Sequence, residues 1–194
     1  VIMDQIMKIY IKLHFHLGEE HNIIGHWFRL HFIENEGMAW GLKWGGNTGK
    51  IILTSFRLIA VIVGFFYLKT FFSKKYKPAF YVLLACIYAG AIGNLIDSIF
   101  YGVIFSESQY FTFEAAKFLP ANGGYTSLFL GRVVDMLYFP IIQIEHLPTW
   151  IPFIGGSSFE FFSPVFNLAD MAISVGVISI WVFQKRILKS DLNN

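Results

Sequence analysis

Residues 79–100 read AFYVLLACIYAGAIGNLIDSIF, and residues 161–183 read FFSPVFNLADMAISVGVISIWVF. Each run is long enough to cross a bilayer core, which takes about 20 helical residues. Each carries one charge, Asp97 in the first and Asp170 in the second. A third run, Ile51–Phe72, holds Arg57 and Lys69, and Val1–Phe15 is apolar but short, with Asp4, Lys8 and Lys12. That N-terminal piece lacks the architecture of a signal peptide and reads as a truncated first helix. The expected fold is therefore a mainly α membrane protein with four transmembrane helices.

The composition agrees with that reading. Of 194 residues, 55% are hydrophobic and 14% charged, with a mean hydropathy of +0.55, where soluble domains average about 25% charged. A soluble monomer and a disordered chain are both disfavoured. A net charge of +2 leaves no footprint for nucleic acid. The lone Cys86 rules out an intrachain disulfide and argues against a cysteine zinc site.

Basic residues set the expected orientation. Lys74, Lys75 and Lys77 fall in the 73–78 loop, and Lys185, Arg186 and Lys189 in the 184–194 tail, whereas residues 101–160 hold Lys117 and Arg132 alone. Both termini are then cytoplasmic, and residues 16–50 and 101–160 lie outside. Residues 26–44 mix aromatic and polar residues about an Asn-Glu-Gly turn and predict a small hairpin or sheet on the membrane. The Trp-, Pro- and Phe-rich stretch 137–162 suits the headgroup level.

The polar residues within the apolar runs fall in patterns. Ser163, Asn167, Asp170 and Ser174 share a helical stripe, with Ser163 as cap and Pro164 in the first turn. Asp170 would then sit about 9 Å into the helix, in the outer third of the membrane. Gly90, Gly93, Asn94 and Asp97 share a face of the preceding helix, and Asp135 is the sole acid of its apolar stretch. Two close carboxylates share one proton, so one can activate water while the other protonates the departing group. The competing reading is that these polar groups simply fix helix packing.

Other candidates carry less. His14, His16, His21, His26 and His31 lack the helical i, i+4 pairing of a zinc peptidase and read as surface groups, so no metal or other cofactor is expected. Asp4 and Lys8, at i, i+4, read as a structural pair. No base is placed to activate a Ser or Cys nucleophile, and Arg57 receives no role.

The motifs resemble those of the lipoprotein signal peptidases, or signal peptidase II. Asp4-Gln-Ile-Met-Lys8 is similar to the family's Asp-Gln-x-x-Lys, and Asn35-Glu-Gly37-Met-Ala39 to its Asn-x-Gly-x-Ala. Gly93-Asn94-Leu-Ile-Asp97 is similar to its Gly-Asn-x-x-Asp. Val133-Val134-Asp135 and Phe166-Asn167-Leu-Ala-Asp170 resemble the two segments that carry its catalytic aspartates. The resemblance implies an outer β-cradle and an intramembrane aspartic endopeptidase of the bacterial inner membrane, its active site near the outer face. It implies cleavage before the diacylglyceryl-modified Cys of a prolipoprotein, with membrane lipid around it and a monomer as the working unit. By motif, Asp135 and Asp170 would be the catalytic pair. Asn35, Asn94, Asp97 and Asn167 would support substrate and dyad, and Asp4 and Lys8 the structure.

Two features depart from the family. Ser98 stands where an Arg usually follows the third-helix Asp, and Arg132, three residues before Asp135, is the expected substitute if that stretch is helical. An enlarged outer segment, 103–130, has no assigned role. A proton- or ion-coupled transporter or channel using Asp97 and Asp170 is the alternative function, and a non-catalytic assembly factor the third.

Overall fold

The computed structural model describes residues 1–37, 45–73, 76–110, 114–144, 146–150, 156–157, 159–161 and 164–188. Ala39, Lys74, Lys75, Ser163 and Lys189 lie outside the described residues. In chain order, α1 (Ile2–His14) leads into a hairpin of β1 (Glu20–Ile24) and β2 (Phe28–Asn35), then α2 (Gly46–Phe72) and α3 (Pro78–Ile96). A π-helical turn, Asp97–Tyr101, and the short α4 (Gly102–Ile104) end the third rod. Strands β3 (Val133–Tyr138), β4 (Ile142–Ile144), β5 (Phe159–Phe161) and β6 (Val165–Phe166) precede α5 (Leu168–Ile187). Three helical stretches, Gly46–Phe72, Pro78–Ile104 and Leu168–Ile187, are long and apolar enough to cross a membrane.

Helices α3 and α5 form the main helix–helix contact because small residues let the backbones approach. A Cβ on Gly90 would lie 2.4 Å from the Ala169 carbonyl oxygen, so any larger residue would force the two apart. Outside the rods, antiparallel strands run in the order β1-β2-β3-β6, and β4 pairs with β5 separately. The central strand β3 is buried along its whole length. Val134, Met136 and Leu137 join Ile11, Phe15, Phe32, Tyr101 and Phe105 in a core that ties α1, the sheet and the end of the third rod together.

The described hairpin, β1–β2, turns at 25–27, where Gly25 has φ +53°; the arm expected beyond Asn35-Glu-Gly, residues 38–44, lies outside the described residues. Three local expectations are corrected. Helix α5 begins at Leu168, capped by the Asn167 side chain, which accepts from the Asp170 N–H at 2.9 Å. Val165 and Phe166 pair instead with Tyr138 and Leu137, so Pro164 precedes the helix and Asp170 lies in its first turn, not about 9 Å in. The stretch before Asp135 is a strand and not a helix. The third rod is not uniform: its π turn directs the Ser98 and Ile99 carbonyls to the N–H groups of Gly131 (3.0 Å) and Phe129 (3.2 Å), docking the outer segment.

Candidate active site

Asp135 and Asp170 reach one place from different elements. Asp135 sits in mid-β3, opposite Ile33 of β2, and is 3% exposed. Asp170 stands in the first turn of α5, half-buried, in the wall of a cavity of ≈ 450 Å³ between α2, α3 and α5. Arg57, Tyr88, Asn94 and Ile173 also line that cavity, which is otherwise apolar.

Neither carboxylate has an ion-pair partner among the described residues; amides hold both. Asn35 Nδ2 donates to Asp135 Oδ2 at 3.2 Å and Asn167 Nδ2 to Asp135 Oδ1 at 2.7 Å. Asn94 Nδ2 donates to Asp170 Oδ1 at 2.7 Å, while its Oδ1 accepts from Asn167 Nδ2 at 3.1 Å. The two acids are thus bridged by Asn167 and Asn94, both buried. Burial first, and then the charge of Asp170, pushes the Asp135 carboxyl up to about 7.

A second set of acids lies behind the first and shares one lysine. Lys8 Nζ, with no exposure, contacts Asp97 at 2.7 Å, Asp4 at 3.0 Å and Asn94 Oδ1 at 2.9 Å. Gln5 donates to Asp97 at 2.9 Å, and Asp4 Oδ1 accepts the Ala169 N–H at 2.9 Å, fastening α1 to the start of α5. Asp97 therefore faces Lys8 and not the dyad, meeting β3 through the Val134 N–H at 3.4 Å.

Arg132 is placed elsewhere. From just before β3 it turns away from Asp135 and bonds Glu107 at 2.6 Å and Glu34 at 3.0 Å, with its Nε 3.5 Å from Glu36. Its ring of partners includes Lys12, which pairs with Glu34 and contacts Ser108 at 2.9 Å, and Tyr125, under both cations. Burial pushes the Glu34 carboxyl up, but Lys12, Ser108 and Arg132 outweigh it and hold it below the usual range. Glu107 and Ser108, from the enlarged outer segment, thus help fix Glu34, next to Asn35.

The cation that borders the dyad's cavity is Arg57, which the sequence reading left without a role. Its charge is felt by Asp170, Asp97 and Asp135, and its Nη1 donates to Ser98 Oγ at 3.1 Å. A charged residue inside an apolar run was the signal that could have found it. Gln5 was likewise missed, although it stands between Asp4 and Lys8. Of the histidines, His16 and His21 flank Glu19, and His31 meets Glu20. Among the described residues, no group of three or more His, Cys, Asp or Glu side chains is arranged to hold a metal ion.

The family model for Signal peptidase (SPase) II matches residues 1–185. The chain belongs to the signal peptidase II family. It is 45% identical over 187 residues to a lipoprotein signal peptidase of Porphyromonas gingivalis, covering 96% of this chain and 79% of the relative. It is 35% identical to that of Amoebophilus asiaticus, over 96% of this chain and 74% of the relative. A solved structure described as a bacterial membrane enzyme superposes with a TM-score of 0.56 at 26% identity, covering 95% of this chain and 82% of that one. As a signal peptidase II family member the chain is a protease, and its five motif segments fall within the matched residues.

Proposed function

We propose that this chain is an aspartic endopeptidase that removes the signal peptide from diacylglyceryl-modified bacterial prolipoproteins, cutting before the lipidated Cys. The observation that carries the reading is a pair of carboxyl groups held, among the described residues, by amides alone, one of them in the wall of an apolar cavity between α2, α3 and α5. Asp135 and Asp170 are the proposed catalytic pair, and Asn35, Asn94 and Asn167 orient them. Asp4, Lys8 and Asp97 form the supporting frame.

The chemistry follows from one shared proton. Asp170 takes a proton from a water held between the two acids as that water attacks the scissile carbonyl carbon. Asp135 gives its proton to the carbonyl oxygen, forming a neutral gem-diol. On collapse, a diol proton returns to Asp135 while Asp170 delivers its proton to the departing amide nitrogen, so the dyad ends with one proton as it began. No metal or other cofactor enters these steps.

In the proposed topology four helices span the bacterial inner membrane, both termini are cytoplasmic and the sheet lies at the outer face. The apolar cavity suits a hydrophobic signal peptide, membrane lipid surrounds the rods, and no nucleic acid takes part. The monomer is the proposed working unit.

Purified protein incubated with a synthetic lipid-modified precursor peptide tests this. The expected result is two fragments by mass spectrometry, with the break immediately before the modified Cys. An intact precursor, with ion or proton flux through vesicles holding the protein, would favour the transporter reading.

A further inference from the structure

We propose that Arg57 is a substrate-contacting residue of this site, its guanidinium donating to a backbone carbonyl of the bound peptide beside the scissile bond. This rests on the peptidase reading above.

The position of Arg57 on α2 is the first argument. The buried residues of that helix are Gly49, Lys50 and Thr54, all in its outer turns. Lys50 bonds Glu36 at 2.8 Å and Thr54 donates to the Phe129 carbonyl at 2.9 Å, pinning the helix to the outer segments. Arg57 follows on the same face, one turn further in, where the cavity shared with Asn94 and Asp170 opens.

Its partners are the second argument. Lys8, Lys12, Lys50 and Arg132 each contact a carboxylate. Arg57 contacts none among the described residues; its two anchors are neutral, Ser98 Oγ at 3.1 Å and the Gly37 carbonyl at 2.5 Å. A guanidinium has five N–H donors in a fixed fork, so three remain for a ligand. A half-buried cation with spare donors in an apolar wall is costly unless something rich in oxygen completes it, and a peptide backbone in the cavity supplies carbonyls.

The third argument is that the surrounding backbone is shaped to admit it. Gly37 has φ +90°, and a Cβ there would lie 2.6 Å from Arg57 Nη1. The Gly37 N–H donates to Asn35 Oδ1 at 2.8 Å, and Asn35 in turn donates to Asp135. On the other side Ser98 Oγ donates to the Asn94 carbonyl at 2.9 Å, and Asn94 holds Asp170. Arg57 thereby closes a ring of contacts that runs from one catalytic acid to the other. Ser98 acts as its anchor, and the guanidinium arrives from α2.

Steady-state cleavage of the lipid-modified precursor by Arg57→Lys, Arg57→Gln and Ser98→Ala, with thermal unfolding of each, tests the assignment. Arg57→Lys keeps the charge and loses the fork, so KM rises about tenfold. Arg57→Gln costs about a hundredfold in kcat/KM and moves the alkaline limb of the pH–rate profile upward, because a positive charge near the shared proton is gone. The charges facing Arg57 are Asp170 on α5, Asp97 at the end of α3, Asp135 on β3 and Lys50 on its own helix. Arg57→Lys leaves that limb in place, a split that a purely structural arginine would not produce. Ser98→Ala raises KM severalfold with the limb unmoved. If Arg57→Gln fails to fold, Arg57→Lys and Ser98→Ala decide alone. Parental KM in both, with the parent active, removes Arg57 from the site and leaves the peptidase reading intact; a parent that does not cleave overturns both.

Discussion

Two clusters of aspartate lie side by side in this molecule, and they differ in what holds them. Asp4 and Asp97 share Lys8, fully buried between them. Asp135 and Asp170 make no ion pair among the described residues and are held by Asn35, Asn94 and Asn167. A lysine at 2.7–3.0 Å holds both carboxyl groups in place and makes them struts. An amide donor orients a carboxyl group but leaves its proton free to move. The two roles are therefore separable by partner, although the residue type is the same. Asn94 joins the clusters, accepting from Lys8 and donating to Asp170, so the rigid set positions the reactive one.

The largest effect is expected on the reactive side. Asp170→Asn keeps the shape but cannot exchange a proton, and cleavage should fall by at least about a hundredfold. A turnover assay on folded, detergent-solubilised protein checks this. Near-parental turnover would remove Asp170 from the pair and blur the distinction between the clusters.

On the strut side the loss should appear as stability. Lys8→Met strands two carboxylates where neither water nor a cation reaches them, at a cost of about 3–5 kcal/mol. Thermal unfolding should show a drop of many degrees, or the protein should fail to accumulate in the membrane. An Asp4→Asn, Asp97→Asn, Lys8→Met triple variant should recover part of that loss.

The pH dependence sharpens the contrast. Folding raises the Asp135 carboxyl to about 7, through burial and then the charge of Asp170. The folded state thus binds a proton that the unfolded chain has lost above about pH 4, so this group's contribution to stability declines as pH rises from about 4 to 7. Cleavage should likewise decline as pH rises through about 7 and the shared proton leaves. A rate that is flat from pH 6 to 9 would contradict a dyad that works with one proton.

The smallest effect belongs to the outer ion cluster. Arg132→Lys keeps the charge beside Glu34 and Glu107, away from Asp135 and Asp170, and should change kcat/KM by no more than about threefold. A tenfold rise in KM would return Arg132 to the substrate site.

Much of the site was legible because its side chains obey local spacing. Asn94 and Asp97 share a helical face whatever the rest of the chain does, as do Asp4 and Lys8. The three long apolar runs also read directly, since lipid demands length and few charges. What failed was decided by tertiary pairing. Ser163-Pro164 and Asn167-Leu-Ala-Asp170 are rival helix starts, and the choice between them is made by the pairing of Val165 and Phe166 with β3. Strand β3 is buried on both sides, so it shows no alternation to mark it as a strand, and Arg132 was assigned to the wrong face as a result. Arg57 was passed over because its partners, Ser98 and Gly37, come from distant parts of the chain.

The division of labour is tested most directly by one paired measurement. Cleavage of the lipid-modified precursor and thermal unfolding are recorded at pH 8 on the same preparations of Asp135→Asn and Asp97→Asn. Asp135→Asn should lose at least about a hundredfold in turnover while unfolding at no lower a temperature than the parent, since the variant trades one 3.2 Å contact from Asn35 for relief of a buried charge. Asp97→Asn should unfold at a clearly lower temperature and keep measurable cleavage where it remains folded. Near-parental cleavage by Asp135→Asn, or an Asp97→Asn protein as stable as the parent and equally inactive, would contradict the account.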